Sequence, residues 1–292
     1  MAGEVCMSKI VGVDLGTTLT KFAWEDNAVS NNKFNFASSR GIHVEQTVKN
    51  LLKSGFDTAV LTGINREDER LLAPLNLVRP AGNPVDIEIE LQAQGARKLL
   101  DMSGRSDVGD FLIVSIGTGT SYTFVTNSGA NRYPLGSGIG GGFVEGILKL
   151  AQIRLSIVEE DDLLEEGGMF IRQLYDKQIK DVLKKTADTP WGKVSIAHFG
   201  NVPDGIRCKE NVAATALNCV ATNIVRDIAK MEFMPKYLPP KHVVFVGTIP
   251  TSSPVLRKFI TDLFQNIGQL LPDLREHEAI FPPNAEYAGA LG

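Results

Sequence analysis

One device occurs twice in this chain and limits what it can fold into: an apolar strand, a glycine and threonine turn, then a second strand. The first copy runs from Ile10–Asp14 (IVGVD) through Gly16-Thr17-Thr18 into Leu19–Trp24. The second runs from Phe111–Ile116 (FLIVSI) through Gly117-Thr118-Gly119 into Thr120–Val125, about a hundred residues later. An unbroken β-branched run is the pattern of a buried strand, and the short connection makes each pair a hairpin. A chain of 292 residues holds one large or two medium domains. The repetition favours two, with the boundary in the loop Ser103–Gly109: an N-terminal domain over residues 1–105 and a C-terminal one over 106–292.

The remaining elements read as α/β. Helices are expected over Ile42–Lys53, over Asp86–Leu100 after an extended start, from Phe143 to Gln152, and from Pro254 to about Leu270 with Ser253 as N-cap. Val212, Ala216, Val220, Ile224 and Ile228 recur every four residues and mark a long helix with one buried stripe, Lys209–Met231. Thr58–Thr62 and His242–Val246 read as strands; Gly247-Thr248 stops the second. Gly136–Gly142 (GSGIGGG) is too glycine-dense for an element interior. Residues 156–205 read as short helices with loops, and Asn284–Gly292 as a small-residue helix that packs closely.

Bulk properties remove several classes. A net charge of −4 and a pI near 5.7 argue against a broad nucleic-acid surface. Cys6, Cys208 and Cys219 are scattered, which disfavours a disulfide framework or a zinc or iron–sulfur site. No apolar run reaches the roughly 18 residues of a membrane span, and the start lacks a signal peptide's pattern, so the expected home is the cytoplasm.

The turns carry the chemistry. Gly16 lets backbone N–H groups approach phosphate oxygens, and Thr17, Thr18 and Thr20 add hydroxyl donors. Lys21 can neutralise phosphate charge. Asp14 would repel a phosphate, so its partner is expected to be Mg²⁺, through water. Gly117, Thr118, Gly119 and Thr120 repeat the arrangement, and Val243–Thr248 (VVFVGT) supplies a third strand-to-glycine turn, Gly247-Thr248, suited to a nucleotide. No Walker A string occurs, and Gly117-Thr118-Gly119 lies between strands rather than opening a helix, so a dinucleotide fold is disfavoured.

In this order the elements resemble the superfamily of acetate and sugar kinases, heat-shock chaperones and actin: VGVDLGTT (Val11–Thr18) as phosphate 1, FLIVSIGTGTS as phosphate 2, VVFVGT as the adenosine motif. Four strings narrow the match: VSIGTGTS (Val114–Ser121), GSGIGGGFVEGILKL (Gly136–Leu150), VSIAHFGNV (Val194–Val202) and VVFVGTIPTSSPVLRKFI (Val243–Ile260). Together they look like the type II pantothenate kinases, although DLGTT departs from the DxGGT form of that family. The resemblance implies duplicated ribonuclease-H-like, actin-like ATPase domains with a nucleotide cleft between them. It implies ATP and Mg²⁺ as cofactors and phosphorylation of pantothenate to 4'-phosphopantothenate, the first step of coenzyme A synthesis. It also implies a homodimer built on the long helix.

The family places its general base before a helix between the two phosphate motifs. Counting back from Gln94-Gly95 puts that carboxylate at Glu88, with Glu90 as a second acidic residue. On an extended segment the two point the same way, and two close carboxylates would raise one pKa. Arg132 is the candidate for the acceptor's carboxylate, although a strict count from Gly140-Gly141-Gly142 puts Tyr133 at that place. Either the turn shifts by one residue or the carboxylate is held differently. Ser115 and Ser121 join them as substrate-binding candidates, and Gly140, Gly141 and Gly142 could meet nucleotide or substrate by backbone N–H groups. Other readings are an N-acetylhexosamine kinase of this fold, a dehydratase activator, and a non-catalytic ATP-binding switch.

Overall fold

The repeated device appears in a computed structural model as two sheets of identical strand order. The structure describes residues 9–25, 34–63, 65–153, 174–186, 188–189, 195–204, 209–268 and 276–292. Cys6, Cys208, Trp191 and half of the stretch read as short helices lie outside them. The chain forms two compact units, residues 1–107 with 283–292, and residues 108–282.

In the first unit, β1 (Lys9–Leu15), β2 (Thr20–Glu25) and β3 (Phe34–Ser39) form an antiparallel meander. The parallel strands β4 (Phe56–Gly63) and β5 (Asn76–Val78) extend it on the other side of β1. Helix α1 (Ile42–Lys53) lays Val44, Val48 and Leu51 on the sheet, at the spacing of one helical face. They meet Val11, Val13, Leu15, Phe22 and Leu61. The short α2 (Arg66–Leu71) follows β4, and α3 (Pro84–Met102) completes the run. Asn83 caps α3 by accepting from the Val85 N–H at 3.0 Å, with Pro84 in the first turn, where its missing N–H costs nothing.

In the second unit, β6 (Phe111–Ile116), β7 (Thr120–Thr126) and β8 (Gly129–Arg132) form the matching meander. Helices α4 (Gly141–Leu150) and α5 (Ile179–Val182), the small strands β9 (Lys177–Gln178) and β10 (Ser195–Ala197), and α6 (Lys209–Met231) come next. Strand β11 (His242–Val246) then pairs in parallel with β6, and β12 (Glu278–Ile280) with β11. Between them run α7 (Thr248–Ser252) and α8 (Pro254–Gly268), the latter opened by the Ser253 hydroxyl accepting from the Leu256 N–H at 3.1 Å. Strand orders β3-β2-β1-β4-β5 and β8-β7-β6-β11-β12 are the same pattern twice, the duplicated ribonuclease-H-like architecture the motifs implied.

The duplication extends to single glycines. Gly63 ends β4 beside Leu15, and Gly247 ends β11 beside Ile116. Both have positive φ (79° and 116°), and a Cβ on either would fall on the carbonyl of that neighbour. Only glycine lets the chain leave the sheet there.

One expectation changes. The tail Pro283–Gly292, read as part of the C-terminal domain, groups with the first unit. Its last helix, Ala288–Leu291, packs on α3 and β1, and the small residues foreseen there are what let it come close. The long helix spans the expected residues, and 15 of its 23 residues are buried in its own unit. Its exposed positions include Lys209, Arg226 and Lys230. Among the described residues no helix is long and apolar enough to cross a membrane.

Candidate functional site

The first hairpin places a carboxylate and an ammonium side by side. Asp14 and Lys21 face each other across β1 and β2, Oδ2 to Nζ 3.9 Å. Burial raises the Asp14 pKa above its usual value, and the Lys21 charge pulls it back down. A poorly solvated carboxylate with one distant cation retains acceptor capacity for a divalent ion and its water shell, so the residues present suit Mg²⁺. Beyond the pair, Thr17 and Thr18 are exposed on the turn, where a phosphate could meet them.

Thr20 does not share that exposure. It is fully buried, and its hydroxyl donates to Asp68 Oδ2 at 2.6 Å. Its role here is positional: it fastens the turn to α2. Asn65 does the same from the other side. Its Oδ1 accepts from the Glu67 and Asp68 N–H groups at 3.1 and 3.3 Å, and its amide donates to the Gly16 carbonyl at 3.4 Å. Neither Asn65 nor Asp68 was among the sequence candidates. The signal existed, an Asn at a helix cap with an acidic residue three positions on, directly after a strand.

The second hairpin repeats the geometry without the charge. Ser115 and Ser121 are cross-strand partners one step before the turn, the position Asp14 and Lys21 hold in the first. They line a cavity of about 430 Å³ with Gly117, Gly119, Ser137 and Gly138. Thr120 also borders it but is buried, and its hydroxyl donates to the Ile139 carbonyl at 2.8 Å. Gly117 and Thr118 are exposed at the tip.

The glycine cluster is placed differently from the sequence reading. The N–H groups of Gly141 and Gly142 donate to the carbonyls of Gly117 and Thr118 at 2.8 and 2.9 Å, so they are not free for a ligand. A Cβ on Gly140 would stand 2.6 Å from the Gly119 backbone, and one on Gly142 2.7 Å from Thr118 Cγ2. The cluster is glycine so that the start of α4 can press against the turn and hold it.

The register also separates Arg132 from Tyr133. Arg132 pairs with Thr123, and side chains alternate along β7, so Arg132 shares the sheet face of Ser115 and Ser121. Tyr133 points the other way into an aromatic group, 5.0 Å from the Tyr237 ring centroid and 6.3 Å from Tyr122. It is 7 % exposed, a core residue rather than a ligand contact. Thr123, also on the Arg132 face, is buried with an unpaired hydroxyl oxygen.

Glu88 and Glu90 lie inside α3, not on an extended segment. Two residues apart on a helix, they diverge by about 200°. Glu90 is exposed and accepts from Gln94 Nε2 at 3.0 Å, while Glu88 is half-buried on another side. The expected coupling of two close carboxylates is therefore absent. Cys219 is buried, and burial pushes its thiol up to about 11, far from thiolate chemistry.

No family model matches the chain. It is 30% identical over 293 residues to the type II pantothenate kinase of Bacillus anthracis, covering 98% of this chain and 96% of that one. It is 26% identical over 286 residues to the type II pantothenate kinase of Oceanobacillus iheyensis, covering 97% and 98%. Among solved structures, the activator of 2-hydroxyisocaproyl-CoA dehydratase from Clostridium difficile with bound ADPNP is similar. Its TM-score is 0.54 at 14% identity, over 97% of this chain and 91% of that one. A Listeria monocytogenes protein provisionally named as an N-acetylmannosamine kinase gives 0.50 at 15% identity, over 97% and 96%. At such identities these two likenesses establish the fold alone.

Proposed function

This chain belongs to the type II pantothenate kinase family and is a kinase of that fold, and from this we propose that it phosphorylates pantothenate with Mg·ATP. The observation that carries the reading is the 30% identity to a type II pantothenate kinase along 98% of the chain. In the proposed reaction the terminal hydroxyl oxygen of pantothenate attacks the γ-phosphorus, the bond from that phosphorus to the bridging oxygen of ADP breaks, and the hydroxyl proton passes to the Glu88 carboxylate. Asp14 would hold Mg²⁺ through water, and the ion would offset the polyphosphate charge.

Gly16, Thr17, Thr18 and Lys21 would serve the phosphates, as would Gly117, Thr118 and Gly119. Gly247-Thr248 would border the adenosine. Ser115 and Ser121 would donate to the acceptor, and Arg132, on their face of the sheet, would pair with its carboxylate. Thr20, Thr120 and the glycines 140–142 hold these turns in shape. Entry into coenzyme A synthesis, a cytoplasmic location and a homodimer built on the long helix complete the proposal.

The test is ADP release with Mg·ATP across pantothenate, pantetheine and N-acetylhexosamines, with Glu88→Ala alongside. Pantothenate should stimulate turnover. Glu88→Ala should lower kcat by about 10²–10⁴-fold while ATP binding survives. Stimulation by a hexosamine alone, or by no acceptor, would overturn the substrate assignment.

A further inference from the structure

Three cations surround the first hairpin, and they are not equivalent. Lys21 faces Asp14. Arg79 donates to the carbonyl of Gly63, the neighbour of Leu15 on β4, and its other terminal nitrogen pairs with Glu69 at 2.9 Å. Arg40, which follows β3, donates from Nε to the Thr18 carbonyl at 2.9 Å. Among the described residues no acceptor pairs with its two terminal nitrogens.

Arg40 is exposed, and an exposed arginine is ordinarily mobile. Its Nε–H bond to the Thr18 carbonyl is charge-assisted and restricts where the guanidinium can lie. Pinning by Nε alone leaves the guanidinium oriented with its outer fork open beside two exposed threonines, Thr17 and Thr18. A planar pair of N–H donors matches two oxygens of one phosphate, which a point-charge ammonium does not. Lys21 faces the Asp14 carboxylate, whereas among the described residues no carboxylate pairs with Arg40.

We propose that Arg40 binds the nucleotide's polyphosphate through its two terminal nitrogens, an inference that rests on the Mg·ATP reading of this hairpin. The test is direct binding without acceptor: ATP and adenosine titrated into wild type, Arg40→Ala and Arg40→Lys, with the Tm of each ligand-free protein. Arg40→Ala should weaken ATP by about 10–100-fold, the range for a charge-assisted pair. Adenosine binding and Tm should not change, and Arg40→Lys should recover only part of the loss. Unchanged ATP affinity overturns the proposal. So does a parallel loss of ATP and adenosine with a lower Tm, which would mean that Arg40 only shapes the turn. If wild type itself does not prefer ATP to adenosine, the nucleotide reading fails at that step, before any variant is compared.

Discussion

Gly95 sits in the middle of α3, where helix propensity alone predicts that alanine stabilises by about 1 kcal/mol. The tail reverses that expectation. A Cβ on Gly95 would land on the carbonyl oxygen of Ala288, with the carbonyl carbon at 2.7 Å and Cα at 3.0 Å. These are backbone atoms and cannot rotate aside, so the last helix would have to retreat by roughly an ångström. Overpacking of this kind costs about 1–3 kcal/mol. Because the obstacle is main chain, the cost should lie at the upper end, leaving Gly95→Ala less stable by about 1–2 kcal/mol net.

Gly146 provides the control. It lies within α4, and a Cβ there meets nothing within 4 Å. Gly146→Ala should stabilise by about 0.5–1 kcal/mol, the opposite sign for the same chemical change. Urea unfolding resolves the difference. The two units need not unfold together, so a unit-specific probe is required. Trp24 packs on Phe56 at 6.1 Å and can report the first unit alone in a Trp191→Phe background, and the part of the far-UV circular dichroism transition that Trp24 fluorescence does not follow reports the second unit and Gly146→Ala. A Gly95→Ala protein as stable as wild type would refute the close approach of the tail. The change should also reach the site, because Gly289 abuts Asp14 (a Cβ there would lie 3.0 Å from Oδ2), so ATP affinity should fall with stability.

Two further outcomes are expected. Arg132→Ala should raise KM for pantothenate by about tenfold or more. Tyr133→Phe, which loses only a 3.5 Å contact to Met234 Sδ, should leave it unchanged; equal effects would contradict the face assignment. Asp176 gives a pH dependence. Burial is the largest influence and pushes its carboxyl up, but bonds from His198, Ser195 and Asn218, with the His198 charge, outweigh it and hold the pKa below the usual 3.8. A folded pKa below the unfolded one means that the stabilisation is complete above 3.8 and is lost as pH falls through the lower folded value. Asp176→Asn should therefore cost about 1–3 kcal/mol near neutrality. The gap to wild type in urea unfolding should narrow in acid, and a gap constant from about pH 6 to about pH 3 would exclude this linkage.

Strand pairs and helices were legible where periodicity is local. Helix α1 occupies the residues its spacing marks, and Ser253-Pro254 opens α8 as a cap and first turn should. Candidate site residues can be named from the sequence by type but not by direction. Thr17 and Thr20 look alike in the sequence, yet only burial against Asp68 tells a structural hydroxyl from an available one. Nothing local distinguishes Arg132 from Tyr133 either. The β7–β8 register does, because a one-residue step exchanges the two faces of the sheet. The extended reading of Glu88–Glu90 failed because Ile87-Glu88-Ile89-Glu90 alternates like a strand, while the Asn83-Pro84 cap starts the helix four residues earlier. Arg40 and Asp68 owe their places to pairings 22 and 48 residues away, which no window along the chain contains.

The duplicated hairpins show what divergence has done with one geometry. The same cross-strand position holds Asp14 with Lys21 in one unit and Ser115 with Ser121 in the other. A polyphosphate and its cation need a carboxylate for the metal and a positive charge for the oxygens, and one such set suffices. A second carboxylate at Ser115 would repel any anionic ligand of that turn. Two serines leave the second turn with hydroxyls that can donate to an oxygen without adding charge. The first turn therefore carries its charge as an ion pair, and the second offers neutral hydroxyls instead. Each turn is braced from outside its hairpin: Gly141 and Gly142 donate to the Gly117 and Thr118 carbonyls in the second, and Asn65 and Asp68 bond Gly16 and Thr20 in the first.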